Sequence, residues 1–110
     1  MQIIPFMHLV VAIIATMLAI PLIQRRVKMN HWYGFRMPPA FESEAAWFDI
    51  NHYGGRLLLA WAAIIAVTAT VGLTLEKQHL LAYCWTSAGI IMGGLAVMAY
   101  MASSYAKKRK

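Results

Sequence analysis

Residues 57–102 read LLLAWAAIIAVTATVGLTLEKQHLLAYCWTSAGIIMGGLAVMAYMA. Within this stretch, 57–75 and 80–102 contain no Asp, Glu, Lys or Arg, and only Glu76-Lys77-Gln78-His79 separates them. A helix rises about 1.5 Å per residue, so about 20 apolar residues cross the hydrocarbon core of a bilayer. A backbone in lipid must satisfy its own hydrogen bonds, which makes each run a predicted transmembrane helix. The polar break is so short that the two helices are expected to form an antiparallel hairpin.

A third uncharged run, Ile3 to Ile23, lies upstream. It lacks the basic start and small-residue cleavage site of a secretory signal and ends in Pro21-Leu-Ile-Gln-Arg-Arg, so it reads as an uncleaved span with a basic anchor. The chain is 61% hydrophobic, and its mean hydropathy is +0.58. Both figures sit on the membrane side of ordinary composition. Its 110 residues leave room for one domain, 1–110.

The ten cations decide orientation. Five lie in 24–56 (Arg25, Arg26, Lys28, Arg36, Arg56), one in the hairpin (Lys77) and four in the tail 106–110. Cytoplasmic segments carry the excess of Lys and Arg. The expected fold is therefore an all-α integral membrane protein of three transmembrane helices. Its N-terminus is outside, the long loop inside, the hairpin outside and the C-terminus inside. Because the cations flank apolar runs, the net charge of +6 is assigned to topology and not to nucleic acid.

Small residues allow helices to approach closely in lipid. Gly89 and Gly93 form a GxxxG pair beside Gly94, and Ala62, Ala66 and Thr70 form a stripe on the second span. Packing of the third span on the others is the favoured expectation; a homodimer seam is the sharper alternative.

The chemistry concentrates in the loop between spans one and two. Met29-Asn-His-Trp-Tyr-Gly-Phe-Arg-Met-Pro-Pro is not helical sequence. Its aromatic rings suit the membrane interface, Gly34 permits unusual backbone geometry, and Pro38-Pro39 enforces a turn. Ser43 reads as an N-cap with Glu44 in the first turn. A short amphipathic helix is expected over Glu44 to Tyr53, with Trp47 and Asn51 on one face. Gly54-Gly55 either ends this helix or bends it into the second span.

The pattern Asn30-x-x-Tyr33-Gly34-x-Arg36-x-Pro38, then Ser43-x-x-x-Trp47-x-x-x-Asn51 and a Gly pair before the next span, resembles the signature of the SdpI family. These are small bacterial membrane proteins named for immunity to a secreted peptide toxin. The resemblance implies that Asn30, Tyr33, Gly34, Arg36, Pro38, Trp47 and Asn51 form a motif loop on the cytoplasmic side of a bundle in the bacterial plasma membrane. Two departures stand out. Met37 occupies a position that is usually polar in the family, and longer members carry extra spans.

Arg36 has two readings, as a bidentate donor to a phosphate or carboxylate or as a tie to loop carbonyls or to Glu42, Glu44 or Asp49. Asn30 and Asn51 are expected to bond loop backbone, and Trp47 to anchor its helix. Cys84 is the single cysteine and lies in an apolar run, so it reads as a packing residue. His8, His31, His52 and His79 show no metal-ligand spacing, and neither a metal nor a cofactor is expected. No nucleophile sits beside a base, and no span carries an Asp, Glu, Lys or Arg, which disfavours an enzyme or a self-contained proton-coupled transporter.

The sequence thus predicts a binding or sensing membrane protein. Its expected partners are membrane lipids, a peptide toxin or a cytosolic regulator, and a second copy of the chain. The alternative is a small oligomeric transporter or lipid-handling protein.

Overall fold

A computed structural model describes residues 3–109, and among these all regular structure is helical. Helix α1 runs Ile3–Ile23, α2 Glu44–Thr74 and α3 Leu80–Lys108, with short 3₁₀ turns at Pro38–Phe41 and Lys77–His79. All three are long and apolar enough to cross a membrane. The whole measures 52 × 23 × 18 Å.

Helix α2 is the centre of the bundle. Helix α1 packs along it extensively, α3 less so, and α1 and α3 barely touch. The α1–α2 seam is built from small residues. Ala12, Ala15 and Ala19 of α1 and Ala62 and Ala69 of α2 are all buried. With little side chain between the backbones, van der Waals contact replaces the hydrophobic drive that lipid cannot supply. Ala62 belongs to the expected small-residue stripe, but Ala66 is half-buried and Thr70 exposed.

The expected break at Gly54-Gly55 is absent. The helix expected over 44–53 and the second span are one continuous helix, and both glycines are buried within it. A side chain at Gly54 would collide with the ring of Phe35, and one at Gly55 would meet the carbonyl of Ala19 at 3.1 Å. Two unfavourable helix residues are tolerated here because neighbouring groups need the space.

Packing of α3 also departs from expectation. Beyond the local backbone of their own helix, Gly89 and Gly93 have no atom within 4 Å of where a side chain would begin. It is Gly94 that packs, against the indole of Trp61, whose Nε1 donates to the Ile91 carbonyl at 3.2 Å. Trp61 therefore joins α2 to α3 midway, beside a groove of about 450 Å³ lined by Ile64, Gly93, Gly94 and Val97. At the hairpin end α3 meets both other helices. Tyr83 lies over Gly72 of α2, and its hydroxyl lies 2.8 Å from Nδ1 of His8 on α1.

Most large apolar side chains of the spans face outward. Ile13, Met17, Ile64, Val67, Leu81 and Met92 are all more than half exposed. The bulky buried cluster lies instead at the loop end, around Trp47 and Ile50, with Val27, Phe35, Phe41 and Phe48 against it.

Candidate functional site

The site begins where α1 ends. Arg26 N–H donates to the Pro21 carbonyl and Arg25 N–H to the Leu22 carbonyl, the paired bonds of a Schellman C-cap. Such a cap places one residue in left-handed backbone geometry. Here it is Arg25, at φ 59°, where glycine is usual. Another orphan carbonyl of this terminus, that of Ile23, is met by His52 Nδ1 at 2.7 Å. A carbonyl can only accept, so this ring nitrogen carries the proton.

Asn30 then folds the chain back. Its Oδ1 accepts the N–H groups of Trp32 at 2.8 Å and Tyr33 at 2.7 Å, while its Nδ2 donates to the Lys28 carbonyl. An Asn side chain bonding backbone two residues on is an Asx turn. The Tyr33 hydroxyl donates to the carbonyl of Leu18 on α1, and burial pushes the Tyr33 hydroxyl pKa up from its ordinary value.

Gly34 follows at φ 120°. A Cβ there would stand 2.6 Å from Asn51 Oδ1 and 3.3 Å from the Trp47 ring. The loop backbone thus lies directly on the Trp47–Asn51 face of α2. Ser43 begins that helix as its N-cap, its Oγ accepting from Ala46 N–H at 2.9 Å. Four-residue spacing puts Trp47 and Asn51 on one face. Both are buried, at 0% and 1% exposure.

Neither is left with an unmet polar group of consequence. Trp47 Nε1 donates to the Val27 carbonyl at 2.7 Å. Asn51 Oδ1 accepts from Phe35 N–H at 2.5 Å, and Asn51 Nδ2 donates to the Trp47 carbonyl at 3.0 Å. Leaving such groups unpaired in an apolar setting costs about 1–3 kcal/mol each.

The structure thus brings Gly34, Trp47 and Asn51 into one interlock and uses Asn30 and Tyr33 to shape its approach. Pro38 stands outside it, exposed at the start of the 3₁₀ turn. Arg36 is exposed too, and its guanidinium donates to the His31 carbonyl of its own turn. Among the described residues the single salt bridge lies elsewhere. Trp32, which the motif does not include, is 88% exposed.

A second feature escaped sequence reasoning. The Tyr105 hydroxyl near the end of α3 lies 2.9 Å from both carboxylate oxygens of Asp49 on α2, and Arg109 Nε lies 2.7 Å from Oδ2. The rings of Tyr53 and Tyr105 stack at 4.1 Å. Burial alone would raise the Asp49 pKa, but the Tyr105 hydroxyl and Arg109 guanidinium outweigh it and hold the carboxyl below its ordinary range. Conversely, its bond to Asp49 and then burial raise the Tyr105 hydroxyl pKa. These residues are 56 and 60 positions apart, so no local pattern announced them.

Chemically the site offers amides, indoles and a guanidinium. Among the described residues no three of His, Cys, Asp and Glu gather as a metal site would require.

The model of the SdpI/YfhL protein family matches residues 26–105, and the chain belongs to that family. The matched region takes in the loop motif, α2 and most of α3. No curated protein and no solved structure matches the chain.

Proposed function

We propose that this member of the SdpI/YfhL family is a multi-pass protein of the bacterial plasma membrane that works by binding or sensing, with its motif loop on the cytoplasmic side. The observation that carries this reading is the distribution of chemistry. The spans present bare apolar faces, while every motif residue lies at one end of the bundle. There Gly34, Trp47 and Asn51 fix the loop on α2, and Arg36 and Trp32 are left on its surface.

In this reading the interlock is scaffold and the exposed rim is the recognition surface. Immunity against a secreted peptide toxin is the specific role that the family name suggests. The protein would meet the peptide in the membrane, and the loop would hold the bundle in a defined state or contact a cytosolic regulator.

Expression in a toxin-sensitive bacterium tests immunity directly. Protection against at least one of a panel of secreted peptides is expected, and unchanged killing by all of them overturns that role. Partner capture with Arg36→Ala and Trp47→Ala tests the loop. Loss of a partner by folded Arg36→Ala supports a recognition surface, while equal capture by wild type and Arg36→Ala removes Arg36 from it.

A second reading, a small oligomeric transporter or lipid-handling protein, is favoured by one observation. The uncovered Gly89–Gly93 face and the groove beside Trp61 suit close approach of another helix. Native mass spectrometry in detergent giving only lipid-free monomer overturns it.

A further inference from the structure

The turn at residues 30–36 has a depth, a shape and a charge that together specify a ligand. Depth comes from Tyr33. Its hydroxyl reaches the carbonyl of Leu18, which lies five residues before the end of α1 at Ile23. Those residues amount to about 7.5 Å of helix rise. The backbone of residues 32 and 33 therefore lies within a tyrosine side chain's length of a level inside the apolar span. Leu18 is itself 45% exposed, and Met29, just before the turn, is 40% exposed.

Shape comes from the closed turn. Asn30 holds the N–H groups of Trp32 and Tyr33, and Arg36 ties back to the His31 carbonyl. The indole of Trp32 projects from this fixed backbone at 88% exposure. An indole in such a position is no loose end. At the boundary between headgroups and acyl chains, its apolar ring and polar N–H both find suitable surroundings.

Charge comes from Arg36. One guanidinium bond is made within the turn, and no salt bridge neutralises it among the described residues. Of the three acids expected to compete, Asp49 is already held by Tyr105 and Arg109, and neither Glu42 nor Glu44 forms a salt bridge among the described residues. Arg25, Arg26 and Lys28 stand on the same connection and are exposed.

We propose that this turn is a phospholipid site in the leaflet on the loop side. Trp32 beds in the interface, and Arg36 donates to the phosphate of an anionic headgroup. A guanidinium presents a planar fork that matches phosphate oxygens, and clustered cations next to a span favour anionic lipid over zwitterionic lipid. The occupant is a lipid because Tyr33 ties the turn to a level within the apolar run of α1, which a soluble protein would reach only by displacing the headgroups. The proposal rests on the loop rim being a recognition surface. Its test reads lipid binding and not killing, so the two readings fail separately.

The experiment uses the full chain in lipid nanodiscs and in detergent. By native mass spectrometry, wild type is expected to retain phosphatidylglycerol over phosphatidylcholine. Arg36→Gln is expected to lose about tenfold in that retention, the scale of a charge-assisted pair, with Arg36→Lys in between and helical content unchanged. Millimolar inorganic phosphate is expected to leave the lipid bound; displacement would make free phosphate the ligand and overturn the lipid assignment.

Subtracting the Trp32→Phe spectrum from wild type isolates the Trp32 emission without touching Arg36. Quenching of that emission by brominated acyl chains is expected. Quenching by aqueous iodide alone would place the turn in water, where a soluble partner is the occupant. Equal retention of phosphatidylglycerol by folded Arg36→Gln would also overturn the proposal.

Discussion

Asn51 holds Phe35 by both of that residue's backbone polar groups. The Phe35 N–H donates to Oδ1 at 2.5 Å, and Nδ2 reaches toward the Phe35 carbonyl at 3.4 Å. One buried side-chain amide thus does for the loop what a neighbouring strand does in a sheet. The longer contact is the weaker, and Nδ2 also serves the Trp47 carbonyl at 3.0 Å.

Asn51→Ala is therefore expected to destabilise the protein by about 2–4 kcal/mol, because it leaves a buried donor and acceptors unmet. Asn51→Asp keeps the acceptor but removes the donor and buries a charge, so it should be no better. Reversible unfolding in mixed micelles measures both, and a loss below about 0.5 kcal/mol for Asn51→Ala would contradict the interlock.

The glycines separate into those that need their bareness and those that do not. Gly34→Ala combines left-handed-side backbone strain with a clash on Asn51, and should cost about 2 kcal/mol or more. Gly89→Ala and Gly93→Ala meet nothing within the chain and should leave monomer stability unchanged or raise it by about 0.5–1 kcal/mol. Crosslinking of the same two variants reads association. A fall in dimer yield without loss of monomer stability would identify that face as a seam between copies.

Arg25→Gly should stabilise the end of α1 by about 1 kcal/mol, since glycine adopts the C-cap geometry without the steric cost that arginine bears. His52→Ala should cost about 1 kcal/mol by exposing the Ile23 carbonyl. Thermal unfolding of both variants at fixed detergent concentration checks the opposite signs.

The Asp49–Tyr105–Arg109 tie predicts acid sensitivity with a definite sign. The native carboxyl titrates below the ordinary aspartate value of 3.8. The stability it contributes is therefore present above that value and lost as pH falls through the lower native one. A partly exposed tie of this kind is worth about 0.5–1 kcal/mol. Wild type should exceed Asp49→Asn by that amount at pH 7, and the two should converge on acidification below about 4.

What was legible in the chain was local. Uncharged runs marked all three membrane-crossing helices, Ser43 marked the start of α2, and four-residue spacing put Trp47 and Asn51 together. What was not legible depended on a distant partner. Gly54-Gly55 reads as a break from propensity alone, and only the ring of Phe35 and the backbone of α1 explain why the helix continues. Arg25 occupies a glycine position that no pattern marks. The expected packing of Gly89 and Gly93 is not found, because both lie on an exposed side of α3 and Gly94 takes the contact with Trp61 instead.

The unbroken course of α2 has a mechanical consequence. Its 31 residues make a rod about 46 Å long. Tyr83 rests on Gly72 near one end, and the Phe35 loop rests on Gly54 and Asn51 near the other. A break at the glycine pair would have let the ends turn separately. Without one, tilting the rod by about 5° carries one end about 4 Å relative to the other, so the two sides of the membrane share a single lever arm.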